Sequence, residues 1–158
     1  MNLDLFSVLT LISRWLHIVS VVVAIGGAVF MRFALMPAAH SVLSDDLHDR
    51  LRSRVMARWK TVVHVCVAIL IMTGAFNFYV TFHDNVKPIP YHPMLGVKLI
   101  GAAVVFFLAI ALTGSSPGFS KLRENSRKWL SIQIALAAVI ILLSGLMKAA
   151  HQAALTAQ

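Results

Sequence analysis

The sequence predicts an all-α fold, a bundle of four transmembrane helices with a cytoplasmic interfacial helix between the first and the second. Two observations on composition favour this fold: 59% of the residues are hydrophobic and only 13% are charged, about half the charged share of soluble domains. The third is that four apolar segments can each cross a hydrocarbon core of about 30 Å. We therefore expect residues 1–158 to form a single integral membrane domain in a lipid bilayer.

The four predicted spans cover residues 9–30, 61–82, 94–113 and 129–147. The two later connections contain the stretches "HDNVKPIPYHP" (residues 83–93) and "TGSSPG" (residues 113–118). Proline, glycine and serine cluster in both stretches, and such clusters typically interrupt helices. These breaks separate the second span from the third and the third from the fourth.

The first connection, residues 31–60, contains a predicted amphipathic helix that begins at Ser44. Ser44 is a favourable N-cap, and the two aspartates that follow it suit the positive end of a helix dipole. Apolar residues then recur every four positions, at Leu47, Leu51 and Val55, while arginines occupy the opposite face. This pattern is typical of a helix that lies in the membrane interface.

Basic residues concentrate in the first and third connections. The first carries Arg32, Arg50, Arg52, Arg54, Arg58 and Lys60, and the third carries Lys121, Arg123, Arg127 and Lys128. The positive-inside rule then places both connections in the cytoplasm. It predicts an inner-membrane protein with both termini on the periplasmic side. The net charge of +8 is thus explained by topology, and we expect no nucleic-acid partner.

Several polar residues are predicted to lie together in the outer half of the bundle. Helix one carries Arg14 and His17, helix two carries Asn77, and helix three carries Lys98 near its start; His83, Tyr91 and His92 of the outer loop belong to the same layer. On helix two, Cys66 and Thr73 share one face with Asn77. The face of helix one continues with the small residues Ser20, Ala24 and Gly27. Small residues allow a neighbouring helix or a flat ligand to approach closely, so a binding site is expected in this layer.

The chemistry of this layer suits haem b, because a neutral imidazole inside a membrane helix bundle is a good axial ligand for haem iron. We expect His17 to be that ligand, Arg14 to pair with a propionate, and Asn77 to border the cofactor. Lys98 is the candidate catalytic residue, as a second ligand or a proton-handling group. His64, near the inner surface, is a candidate ligand of a second site.

Two alternatives stay open at this point. Imidazole and thioether ligands also suit copper, and His17, His92 and Met94 would form a copper site near the outer mouth. A non-catalytic accessory subunit of a larger membrane complex is the third hypothesis, in which His17 only packs between helices. A homo-oligomer is compatible with all three.

Three stretches together resemble a known group of membrane proteins. They are "RWLHIVSVVVAIGGAVFMRFALMP" (residues 14–37), "ILIMTGAFNFY" (residues 69–79) and "YHPMLGVKL" (residues 91–99). They resemble small four-helix proteins of the HemJ and CopD type. The HemJ resemblance implies protoporphyrinogen oxidation or electron transfer with a b-type haem, His17 and Lys98 as the key pair, and a quinone or other membrane redox subunits as partners. The CopD resemblance implies copper handling.

Overall fold

The computed structural model describes residues 4–83, 91–114 and 116–156. Its helices are α1 (Leu5–Phe30), α2 (Met36–Val42), α3 (Asp45–His83), α4 (Tyr91–Thr113), α5 (Ser120–Glu124) and α6 (Ser126–Thr156). A π-helical turn (Met31–Leu35) joins α1 to α2, and a short 3₁₀ turn (Pro117–Phe119) precedes α5. These residues contain no β-strand, which confirms the predicted all-α class.

Four helical stretches among the described residues are long and apolar enough to cross a membrane. They are Leu5–Val42, Asp45–Val80, Leu95–Thr113 and Ser126–Ala149, one for each predicted span. Their outer surfaces are apolar, because large side chains such as Val22, Ile100 and Leu142 are 64%, 69% and 67% exposed. Apolar surface of this extent belongs in hydrocarbon. The chain is a multi-pass membrane protein whose surroundings are the lipid bilayer.

The four long helices pack in a ring. α1 packs on α3, α3 on α4, α4 on α6, and α6 returns to α1. The buried core lies where Val63 and Val67 of α3 meet Ala109 of α4, with Trp59 and Phe106 packed against them. Because successive helices cross in opposite directions, the C-terminal ends of α1 and α4 meet the N-terminal ends of α3 and α6.

Helix one continues past its predicted end at Phe30, and Pro37 explains how. In a regular α-helix the ring of Pro37 would clash with the carbonyl of Phe33, four residues earlier. The π turn just before the proline widens the helix there, and the N–H of Met36 donates to the carbonyl of Met31, five residues back. The wide turn thus accommodates the ring of Pro37 without ending the helix, which continues to Val42.

The predicted amphipathic segment after Ser44 is helical, and it is continuous with the second span. Together they form α3, whose 39 residues extend about 58 Å at 1.5 Å per residue. A hydrocarbon core is only about 30 Å thick, so the basic first part of α3 extends beyond it. Nη2 of Arg52 donates to Oγ of Ser126 at 3.0 Å, which attaches this part to the start of α6.

The first turn of α1 is capped by Asp4, whose Oδ1 accepts a hydrogen bond from the Ser7 backbone N–H at 3.0 Å. Hydrogen bonds from the Ser7 side chain and backbone lower the pKa of Asp4 from its ordinary value of 3.8. A carboxyl whose pKa falls on folding stabilises the fold fully above its ordinary pKa, and this contribution disappears as the pH falls through the lowered value.

We therefore expect the hydrogen-exchange protection of the Ser7 amide to decrease as the pH falls below about 3.8. Asp4→Asn is the matched control, because asparagine keeps the capping oxygen without a titrating charge. Protection in that variant should not change over the same pH range. Equal acid sensitivity in both proteins would show that the Asp4 cap does not cause the change.

Candidate functional site

A half-enclosed cavity of about 800 Å³ lies between α1, α3, α4 and α6. This volume is within the range of about 300–1,000 Å³ typical of small-molecule sites. At one end, His17, Asn77 and Lys98 border the cavity. The structure thus brings three of the predicted site residues, from three different helices, to a single cavity.

The imidazole of His17 is held by a hydrogen-bonded pair of groups on α3. Its Nδ1 lies 2.8 Å from Oγ1 of Thr73. The hydroxyl of Thr73 donates to the carbonyl oxygen of Ile69 at 2.6 Å. Since a carbonyl can only accept and a hydroxyl has one proton, Thr73 must accept its other hydrogen bond. Nδ1 of His17 is therefore the donor.

This assignment determines which ring nitrogen of His17 is left to accept a hydrogen bond or bind a metal. A neutral imidazole with its proton on Nδ1 has its lone pair on Nε2. The second ring nitrogen of a metal-bound histidine is characteristically held in this way by an acceptor, which sets the tautomer and the ring orientation. A neutral His17 ring in this arrangement would carry an unprotonated Nε2, and the residue borders the cavity.

The His17 ring also lies against the backbone of α3. A Cβ added at Gly74 would be 3.6 Å from Cε1 of His17, which is ordinary van der Waals contact. Gly74, which follows Thr73 on α3, thus has no side chain between its backbone and the edge of the ring. The Thr73 hydrogen bond thus orients the ring, and Gly74 lets it lie close to α3.

Lys98 approaches the same end of the cavity from α4. It is partly buried and lies close enough to His17 for an electrostatic interaction. The face of α4 that starts at Lys98 continues inward through Ala102 and the buried residues Val105 and Ala109. The spacing of these residues along the sequence predicts this shared face. The end of the cavity near His17 therefore combines one imidazole and one amine with apolar walls.

Two other predicted site residues lie elsewhere. Arg14 is exposed and does not border the cavity; Ser13, which is 9% exposed, has the inward position instead. The inward face of α1 thus begins at Ser13. His64 is exposed on α3, and its Nδ1 donates to the carbonyl of Lys60 at 2.7 Å. It therefore faces away from the cavity.

The predicted copper ligands are described only in part. The side chains of His92 and Met94 lie outside the described part of the structure, so the grouping of these two with His17 stays a prediction. Among the residues that are described, no three His, Cys, Asp or Glu side chains group closely enough to hold a metal ion.

Sequence reasoning did not find two features of this cavity. It placed Thr73 on the inward face of helix two but did not pair it with His17, although the two residues lie at similar depth. It also interpreted Arg32, Arg52 and Arg127 only as topology signals, whereas all three border the far end of the cavity.

Comparisons of the chain with protein-family models, curated proteins and solved structures found no match. What the cavity binds must therefore be inferred from its own geometry and chemistry.

Proposed function

We propose that the protein is a haem b-binding membrane redox protein in which Nε2 of His17 would bind the iron. The observation that supports this proposal is the chain of hydrogen bonds from His17 through Thr73 to the carbonyl of Ile69. A hydrogen bond that selects the tautomer and orients the ring is characteristic of a ligating histidine.

The walls of the cavity fit a flat, largely apolar group. Ala24 of α1, Gly74 of α3 and Ala102 of α4 border it, and such small side chains leave space between the helices. Apolar walls also exclude water from the ligating nitrogen. When bound there, a haem would supply one-electron redox chemistry; the residues around it would hold, orient and desolvate it.

Lys98 is the cation that we assign to this site, because it shares the cavity with His17 and Arg14 does not. Its ammonium group would pair with a propionate or stabilise negative charge near the iron. Arg14, exposed one turn before His17, has the position of a side chain that extends to the outer headgroups.

The wider function in this proposal is HemJ-like: protoporphyrinogen oxidation or electron transfer, with a quinone or another membrane redox subunit as the electron acceptor. The amphiphilic substrate would enter from the bilayer. The excess of lysine and arginine in the first and third connections supports an orientation with Arg32, Arg52 and Arg127 on the cytoplasmic side of the inner membrane and both termini outside.

The decisive experiment is an absorption spectrum of the detergent-purified full chain, oxidised and dithionite-reduced, with iron and copper analysis of the same sample. A Soret band, a reduced α-band and stoichiometric iron are expected. A colourless protein with stoichiometric copper would contradict the haem assignment and favour the copper alternative. A colourless, metal-free protein would favour the accessory-subunit hypothesis.

Replacing Lys98 by leucine, which removes the charge and cannot bind iron, is expected to lower the reduction potential of the bound haem by tens of millivolts, as loss of a nearby positive charge destabilises the reduced state. Potentiometric titration of the purified chain measures this shift. Lys98→Arg, which keeps the charge, should leave the potential close to its original value. An equal shift in both variants would show that packing, rather than charge, is the cause.

A further inference from the structure

The end of the cavity opposite His17 is strongly basic. Arg32 follows α1, Arg52 belongs to α3 and Arg127 to α6, and all three border the cavity. We call these three residues the basic mouth. Glu124 is the one acidic residue among the described residues that border the cavity, so the guanidinium groups outnumber carboxylates three to one.

Tertiary hydrogen bonds orient two of these arginines. Nε of Arg32 donates to Oγ of Ser131 at 3.2 Å, and Nη2 of Arg52 donates to Oγ of Ser126 at 3.0 Å. Each of these bonds uses one of the five N–H donors of a guanidinium group. The basic mouth is therefore assembled by α6, which holds arginines from two other parts of the chain at one opening.

The cavity continues from the basic mouth along apolar walls. Met56, Val63 and Val67 of α3 and Leu112 of α4 border this part. Arg32 lies 15 residues after His17 (32 − 17) on a continuous helix, which separates the two ends by about 22 Å at 1.5 Å per residue. One leaflet of hydrocarbon is about 15 Å thick, half of the 30 Å core. An acyl chain therefore fits along this length.

We infer that the basic mouth binds the headgroup of an anionic phospholipid whose acyl chain enters the apolar part of the cavity. Guanidinium groups recognise phosphate oxygens through paired, charge-assisted hydrogen bonds. A net positive cluster favours a headgroup with net negative charge over a zwitterionic one. Basic pockets between transmembrane helices are a recurrent form of lipid site. This inference does not depend on haem binding at the other end of the cavity.

Native mass spectrometry of the full chain in detergent tests the inference. Dioleoyl phosphatidylglycerol and dioleoyl phosphatidylcholine are titrated separately, and the first bound lipid is counted. We expect phosphatidylglycerol to bind at least about tenfold more tightly. Arg52→Gln and Arg127→Gln should each weaken that binding about fivefold, the effect typical of one basic residue near an anionic lipid.

Arg54→Gln is the matched control, because Arg54 is exposed on the same helix and does not border the cavity. It should change the affinity less than twofold. Equal losses in the Arg52 and Arg54 variants would overturn the inference, since general surface charge would then explain binding. Equal affinity for the two lipids would overturn it as well.

Inorganic phosphate and the free headgroup, glycerophosphoglycerol, distinguish a lipid site from a simple phosphate site. Because the acyl chain contributes apolar contacts in the cavity, neither compound at millimolar concentration should displace phosphatidylglycerol. Displacement by either one at such a concentration would assign the basic mouth to a soluble phosphate and contradict the lipid.

Discussion

Replacing His17 by alanine is expected to remove the Soret band of the purified protein entirely. The substitution deletes the imidazole that Thr73 orients on the cavity wall, and the proposed haem would lose the nitrogen that binds its iron. The measurement is the haem-to-protein ratio from the pyridine haemochrome spectrum. His64→Ala is the matched control, because His64 is exposed and does not border the cavity.

The control variant should keep its full haem content and the same spectrum. A His17→Ala protein that retains haem, or a His64→Ala protein that loses it, would contradict the assignment of the ligand. Gel filtration and thermal unfolding of both variants show whether the fold has survived. A folded, haem-free His17→Ala chain is the result that supports ligation rather than packing.

Thr73 allows the role of the hydrogen bond to be separated from that of the ligand. Thr73→Val keeps the shape of the side chain and removes the acceptor for Nδ1 of His17. Loss of such a supporting group typically weakens metal binding about 10- to 100-fold. We therefore expect weaker haem binding in Thr73→Val and recovery in Thr73→Ser, whose hydroxyl restores the acceptor. Unchanged haem affinity in Thr73→Val would contradict the tautomer argument.

The second large effect is expected at Gly27, where α1 meets the indole of Trp59. A Cβ added there would overlap the ring, with Cζ2 and Cζ3 of Trp59 each 2.8 Å away. Trp59 packs on Val63 and Val67 in the core, so a shift of its rigid ring would disturb those contacts. Gly27→Ala should therefore lower the free energy of unfolding by about 1–3 kcal/mol, the usual cost of overpacking.

Gly26 provides an unusually close control, because nothing lies within 4 Å of a Cβ added there. Gly26→Ala should be neutral or slightly stabilising, since alanine is the better helix former. Thermal unfolding in one detergent compares the two variants. Similar melting temperatures would show that Trp59 can move aside. Trp59→Leu combined with Gly27→Ala should recover part of the loss, because the smaller side chain leaves space for the new methyl group.

The number and order of the four long apolar helices could be predicted from the sequence, because each must present continuous apolar surface to lipid. The helix ends could not, since the first apolar helical stretch runs on to Val42 and the second begins at Asp45. The grouping of His17, Asn77 and Lys98 could also be predicted, since position along a span places them at a similar level, and all three border one cavity. The inward face of α1 was predicted less accurately. Arg14 lies three residues before His17 and Ser13 lies four, so helical spacing allows either residue to share its face. Burial inside the bundle favoured Ser13, which is uncharged.

What the sequence alone determined is therefore the membrane class and the number of long apolar helices. The tertiary structure decided which groups meet: Thr73 with His17, Trp59 with Gly27, and Arg52 with Ser126. Residues 74 positions apart, such as the last pair, leave no mark of their contact in local periodicity. Their meeting depends on how each helix is rotated about its own axis, and that rotation is determined only when the helices pack together.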